Sequence, residues 1–280
     1  MMAKSVKTII NILLIVVLLF VALNVFLFSF GKRIFCSQIE KSLGIETKIK
    51  FFSITPPFVV HIHGLDAGEL LKADRISLYP NILGLLGGKV LLNKVTAINP
   101  SLVLIQSDQG KLNLPVSKQK GNPPEIYPLS LYVKNAKVTF IDRKVKAEGF
   151  KTLINNLDIH ASKALFPPSS LRINFKSTAR FIRPEGDILG SISFSGWVDF
   201  SRKDMDAKLE LADLDVTYFS AYYGDFISNK KLLSAKLNAT TYFNAKNNDL
   251  KTLTKFRLSD LTYSKEEKDP LGVPCLGLSK

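Results

Sequence analysis

The chain has 280 residues and a formal net charge of +14, with 38 basic and 24 acidic side chains. That length admits one large domain or two smaller ones with real cores, while its two cysteines, Cys36 and Cys275, exclude a disulfide framework. Three histidines leave little material for histidine-based catalysis or a metal centre.

Residues 8–30 carry no charged side chain. At helical rise such a run spans about 34 Å, which predicts a transmembrane helix. It is longer than the apolar core of a cleaved signal sequence, and Arg33-Ile34-Phe35 does not suit lipidation of Cys36. Only Lys4 and Lys7 precede the run, so the remainder carries +12. Counting positive charge on either side would place the large domain in the cytoplasm, but long domains cross membranes largely regardless of charge. Phe35, Ile39 and Leu43 recur at helical spacing, predicting a short amphipathic helix over 31–44 that stops at Gly44.

From Thr47 the period changes to two, and the 45–114 segment reads as a membrane-proximal β unit. Strands are predicted at Phe58 to His63 and Lys72 to Tyr79. Asn81 can cap a short apolar helix, Ile82 to Leu86, that Gly87 and Gly88 terminate. Lys89 to Ile98 resumes β character. Asn99-Pro100 forces a corner, after which Ser101 to Gln106 is expected to run back, and Asp108-Gln109-Gly110 turns a hairpin into Lys111 to Leu114. Pro115 to Pro128, rich in Pro, Lys, Gly and Asn, reads as a loop and is the candidate boundary.

Beyond it the alternation is plain. Leu129, Leu131 and Val133 oppose Ser130, Tyr132 and Lys134; Leu157, Ile159 and Ala161 oppose Asp158, His160 and Ser162. Leu171, Ile173 and Phe175 oppose Arg172, Asn174 and Lys176, and Ser191 to Asp199 and Ala207 to Leu211 continue the rule. Each strand has one apolar and one polar face, as in antiparallel strands covering a core or groove on one side. A helical interruption is predicted over Thr217 to Ser228, its Tyr218, Phe219, Tyr222 and Tyr223 packing on the sheet's apolar face, before Leu232 to Phe243 and Leu253 to Tyr263 return to strand.

No catalytic constellation emerges. His61 and His63 share a strand face but lack a third ligand, and no G-x-S-x-G elbow supplies a nucleophile. Asp204, Asp206, Asp213 and Asp215 lack the glycine and terminal glutamate of a calcium loop, and the glycines of GLLGGKV do not have phosphate-loop spacing. Neither metal nor cofactor is expected, and the chain reads as a non-enzyme. The positive balance favours an anionic partner. Phospholipid headgroups suit it better than nucleic acid, for which there is no stacking motif or recognition helix; a solvated Lys-rich surface is the other reading.

The order of signals carries a resemblance. An anchor, LGIETKIKFFSITPPFVVHIHGL, LLKADRISLYPNILGLLGGKVLLNKVTAINPSLVL and the DQGKLNL hairpin together resemble the amino-terminal part of the AsmA-like family of bacterial envelope proteins. The matching places are Leu83 to Leu86, Gly88-Lys89, Val90 to Ile98, Asn99-Pro100 and Asp108 to Leu114. The later stretch from Val216 to Ser264 is similar to a subfamily long described as a domain of unknown function, although Phe219-Ser220-Ala221 and Ser228-Asn229-Lys230 depart from its pattern. The final DPLGVPCLGLSK resembles an approach to further structure, so more β structure is expected beyond Lys280.

The resemblance implies a single-pass inner-membrane protein with a periplasmic body. It further implies a mainly β fold, an N-terminal transmembrane helix followed by a curled, elongated, mostly antiparallel β-sheet groove with short helices over 129–280. The implied function is phospholipid binding or conduction, serving inter-membrane lipid transport and outer-membrane homeostasis, with outer-membrane or other envelope proteins as further partners. Read with the alternation, the candidate lining residues are Leu129, Leu131, Val133, Ile173, Phe175, Ile192, Phe194, Leu209 and Leu211. The same residues could make a closed sandwich core, which periodicity does not separate from a groove. The alternative function is a non-catalytic assembly or scaffold protein that binds a partner through a sheet edge.

Overall fold

The computed structural model describes residues 44–56, 58–82, 84, 91–114, 129–163, 172–227, 230–268 and 274–279, with scattered helical positions between 14 and 40. Thirteen strands form one sheet: β1 (Phe51–Thr55), β2 (Val59–Ala67), β3 (Leu71–Pro80), β4 (Leu92–Ile98), β5 (Ser101–Gln106), β6 (Ser130–Asp142), β7 (Phe150–Lys163), β8 (Arg172–Ile182), β9 (Ile188–Asp199), β10 (Asp204–Asp215), β11 (Lys230–Lys246), β12 (Asp249–Lys268) and β13 (Pro274–Ser279). From β6 to β13 spatial order follows chain order, each strand pairing antiparallel with the next. The sheet runs unbroken through the segments on both sides of 115–128.

Two expectations about architecture are corrected. Among the described residues no helix is long and apolar enough to cross a membrane, so the transmembrane helix over 8–30 is not part of the observed fold; most of that run lies outside the described residues. The expected reversal at Asn99-Pro100 is the second: Ser101 to Gln106 does not run back, and β4 and β5 both pair parallel with β6, which makes an otherwise antiparallel sheet mixed.

The reason lies at Asn99-Pro100. Asn99 takes a left-handed φ of 50° and Pro100 has no N–H, which interrupts the strand without reversing it. Ser101 to Gln106 therefore runs on in the direction of β4. The two pieces lie end to end along β6, Lys94–Ile98 beside Ser130–Lys134 and Ser101–Gln106 beside Lys137–Asp142. Asn99 N–H and Lys137 N–H bridge the joint, donating to Lys134 O (3.0 Å) and Pro100 O (2.8 Å). The return to β6 then needs a long crossover, which residues 107–129 supply.

Other local signals behave as the residue chemistry requires. Asn81 Oδ1 accepts from Gly84 N–H at 2.9 Å, capping the helical turn at Ile82. Gly44, at φ 69°, donates its N–H to Glu40 O, the geometry of a helix end. Gly110, at φ 79°, closes the hairpin onto Ser107 O. The 115–128 loop, residues 83 and 85–90 of the apolar turn and its glycines, and most of 31–43 lie outside the described residues.

The interior is small. Ile49, Phe52, Ile62, Leu65 and Ala73 form a buried cluster at the β1–β3 end, with Cys36 packed against it. A second packed region lies at the far end of β6–β8, under a 3-10 turn (Val216–Phe219), the one-turn helix α1 (Ser220–Tyr223) and a further 3-10 turn (Gly224–Phe226). Asp215 begins this segment, accepting from Thr217 N–H at 3.0 Å and ion-pairing Arg183 at 2.6 Å. Phe150 receives Tyr218 and Tyr222 at centroid distances of 5.1 and 5.3 Å, and Phe219 lies edge-on to Phe181. This is the predicted aromatic segment, packed on the apolar face as expected.

Candidate functional site

Residues directly opposite each other in a ladder project to the same side of a sheet, so the register sorts the faces. Leu131 and Val133 on β6 face Ala161 and Ile159 on β7, which face Phe175 and Ser177 on β8. Phe175 faces Gly196 on β9, and Phe194 and Ile192 face Leu209 and Leu211 on β10. Ile173 lies two residues before Phe175 on β8, and Leu129 two before Leu131. All nine sequence-predicted lining residues therefore share one face.

That face extends beyond them in both directions. Through β4 and β3 it takes in Val95, Ala97, Leu78 and Ile76, and through β2 and β1 it reaches Val60, Ile62, Ile54 and Phe52. On the other side it passes Ala239, Thr241 and Phe243 of β11 to Phe256, Thr254 and Thr252 of β12. The contributions of β1–β4 could have been found by continuing the alternation of Ile62, Ile76 and Val95 across the Pro-rich loop. No sequence signal marks the threonines and alanines of β11.

Whether these residues close a sandwich or line an open surface is decided by packing. All thirteen strands belong to one sheet, and no second sheet faces it among the described residues. Eight of the nine lining residues are half-buried, and Leu129 is 39% exposed. The apolar face is buried at its β1–β3 end and beneath the aromatic segment, and it is open between them. At its centre Phe175, Phe194 and Phe243 form an aromatic row, with ring centroids 4.7 Å apart for the first pair and 6.2 Å for the second.

The opposite face is polar and basic. Arg172 lies 4.0 Å from the Trp197 ring centroid, and Lys208 pairs with Glu210 at 2.6 Å. A row of left-handed Asn and Asp residues interrupts the strands: Asn135 on β6, Asn156 on β7, Asp213 on β10 and Asp260 on β12, with φ of 51 to 54°. At each, or beside it, the register slips by one residue. Their polar groups are satisfied across strands: Asn135 Nδ2 donates to Asn99 Oδ1, Asn99 Nδ2 to Asp74 Oδ2, and Asp213 N–H to Asn238 Oδ1.

The tempting catalytic residues resolve into structure. His61 shares hydrogen bonds with Ser77 Oγ (2.8 Å) and Thr55 Oγ1 (2.9 Å), and His63 with Ser53 Oγ (3.2 Å) while stacking on Phe51. Burial first, then the nearby Arg75 guanidinium, lowers both imidazoles from the usual histidine value. Among the described residues no group of three His, Cys, Asp or Glu could hold a metal. Asp204 and Asp206 accept from Asn247 N–H and Asn244 Nδ2, as turn and ladder residues do.

Comparison with protein-family models, curated proteins and solved structures finds no match to this chain.

Proposed function

We propose that this chain is a bacterial envelope protein that binds phospholipid through the apolar face of its sheet and serves lipid movement between membranes and outer-membrane homeostasis. The observation that carries the reading is the largely apolar row that crosses the sheet from Phe52 to Phe256, buried at its β1–β3 end and half-open across the middle strands to an exposed Phe256. Acyl chains laid against this row leave water, each methylene contributing about 0.8 kcal/mol when fully buried. The polar face keeps the body in solution while headgroups stay at the wet margin of the row. The order of elements over 44–114, with its AsmA-like resemblance, supports the same reading. In it the body lies in the periplasm at the inner membrane, and the chain performs no chemistry on its cargo.

Mass spectrometry of lipids carried by the purified full chain tests this. Phospholipid in near-stoichiometric amount is the expected result. A lipid-free preparation that also fails to take up phospholipid from vesicles would overturn it.

A second reading has its own observation. β13 pairs with β12 only over Tyr263–Lys268, so the Asp249–Thr262 stretch presents a sheet edge with no strand against it among the described residues. Phe256 in that stretch is 72% exposed. Such an edge can accept a partner strand, which would make the protein a scaffold. Crosslinking from Thr254 separates the readings: a protein adduct favours the scaffold, a lipid adduct the carrier.

A further inference from the structure

On the polar face, away from the apolar row, a depression of about 370 Å³ lies across β4, β6, β7 and β8. Its components come from consecutive positions of the ladder: Thr96 faces Tyr132, Tyr132 faces His160, and His160 faces Lys176. Lys94 sits between two rings, its ammonium 4.3 Å from the Tyr132 centroid and 5.3 Å from that of Tyr79. Both contacts are cation–π, and neither brings a counter-charge to the ammonium. Tyr132 also stacks on His160 at 4.2 Å, fixing the wall opposite. Lys134, two residues after Tyr132 on β6, and Lys176 also line the depression.

Nothing among the described residues neutralises these lysines: Lys94, Lys134 and Lys176 form none of the ion pairs observed. One carboxylate, Asp158, lines the depression, and one of its oxygens already accepts from Asn135 N–H at 2.7 Å. A second observation is independent of charge. Thr96 lines the same depression, and its Oγ1 is one of two buried side-chain polar atoms among the described residues that lack a hydrogen-bond partner. Native proteins hold few such groups, and each calls for an explanation such as a bound ion.

We propose that this depression binds a phosphate-bearing group. Three lysines lining the depression against one partly engaged carboxylate leave an excess of positive charge suited to a phosphate dianion. The Thr96 hydroxyl, freed of competing partners, supplies a donor from the floor once Lys94 shifts toward the anion. The site lies on the face opposite the lipid row and does not depend on it.

The test titrates the full chain calorimetrically with inorganic phosphate and, in parallel, sediments it with phosphatidylcholine vesicles with or without phosphatidic acid. Saturable phosphate binding, weakened about tenfold by Lys94→Met and by Thr96→Val but kept by Lys251→Gln, is the expected result. Binding only to vesicles containing phosphatidic acid, lost in the same two variants, supports the site and identifies its phosphate as a lipid headgroup. Lys134→Gln and Lys176→Gln, at exposed positions, give the same readout if either variant fails to fold. No binding in either arm, or equal weakening by Lys251→Gln, overturns the proposal.

Discussion

The rings of Phe175 and Phe194 lie 4.7 Å apart, tilted by 37°, on neighbouring strands in the middle of the apolar row. Both are half-buried, so each keeps part of its ring available to a ligand. Replacing Phe194 with Lys puts an ammonium where acyl chains are proposed to lie. Lipid recovered with the protein should fall about tenfold while the circular dichroism spectrum stays that of a β-sheet. Unchanged lipid content would remove this row from consideration as the binding surface.

Gly196 stands directly opposite Phe175 and also opposite Ala207. A Cβ at this glycine would come within 2.2 Å of Asp206 O and 2.5 Å of Ala207 Cα, both backbone atoms, at a φ of 153°. Gly196→Ala must therefore separate β9 from β10, and we expect a loss of about 3 kcal/mol in denaturant unfolding. A loss below about 0.5 kcal/mol would mean that the two strands lie farther apart than described.

Tyr222 donates to Asp142 Oδ2 at 3.0 Å. Burial, then the hydrogen bond to Asp142 and its negative charge, pushes the Tyr222 hydroxyl up to about 12. Because the folded value exceeds the unfolded one, near 10, the stabilisation is complete below about pH 10 and is lost as pH rises toward 12. Thermal melts should show this fall, and Tyr222→Phe should flatten it. Tyr218 and Tyr223, also raised mainly by burial, contribute to the slope that remains. Equal slopes in the wild type and the variant would argue against the Asp142 contact.

His61 and His63 titrate in the opposite sense. Their values are lowered on folding, so their contribution is present above about pH 6.5 and lost as pH falls through the lowered folded values. The hydroxyl partners of His61 can accept as well as donate, so protonation need not break those hydrogen bonds. The cost is desolvation of the new charge and repulsion from Arg75. Hydrogen exchange at the Ile62 and Leu65 amides should quicken at pH 5 relative to pH 7 after correction for intrinsic rates. Protection that stays constant over this range would count against the coupling.

Short runs of alternation were legible because they fall between bulges, and the bulges explain why the full strands were not. On β6 the apolar face is carried by odd positions at Leu131 and Val133 and by even ones at Ala136, Val138 and Phe140. The change falls at Asn135. On β7 it falls at Asn156, between Ile154 and Leu157, and on β10 at Asp213, between Leu211 and Leu214. A reading at period two loses phase at each step and ends the strand there. The parallel joint escaped because an Asn-Pro corner commonly reverses a chain, and only pairing with a distant strand decides between a turn and a kink. The nine candidate residues fall on one face because each lies within a run that no bulge interrupts. The depression around Thr96 was not, because β4 and β8 meet it only through two intervening strands, and nothing near Lys94 in the sequence points to Lys176.

From β6 onward neighbours in the sheet are also neighbours in the chain. With strands spaced about 4.8 Å apart, every added hairpin would carry the row forward by roughly 9 to 10 Å and leave the earlier strands untouched. Reach is thus written in the number of hairpins, and a sheet of this kind could be lengthened or shortened in whole increments without rebuilding what comes before.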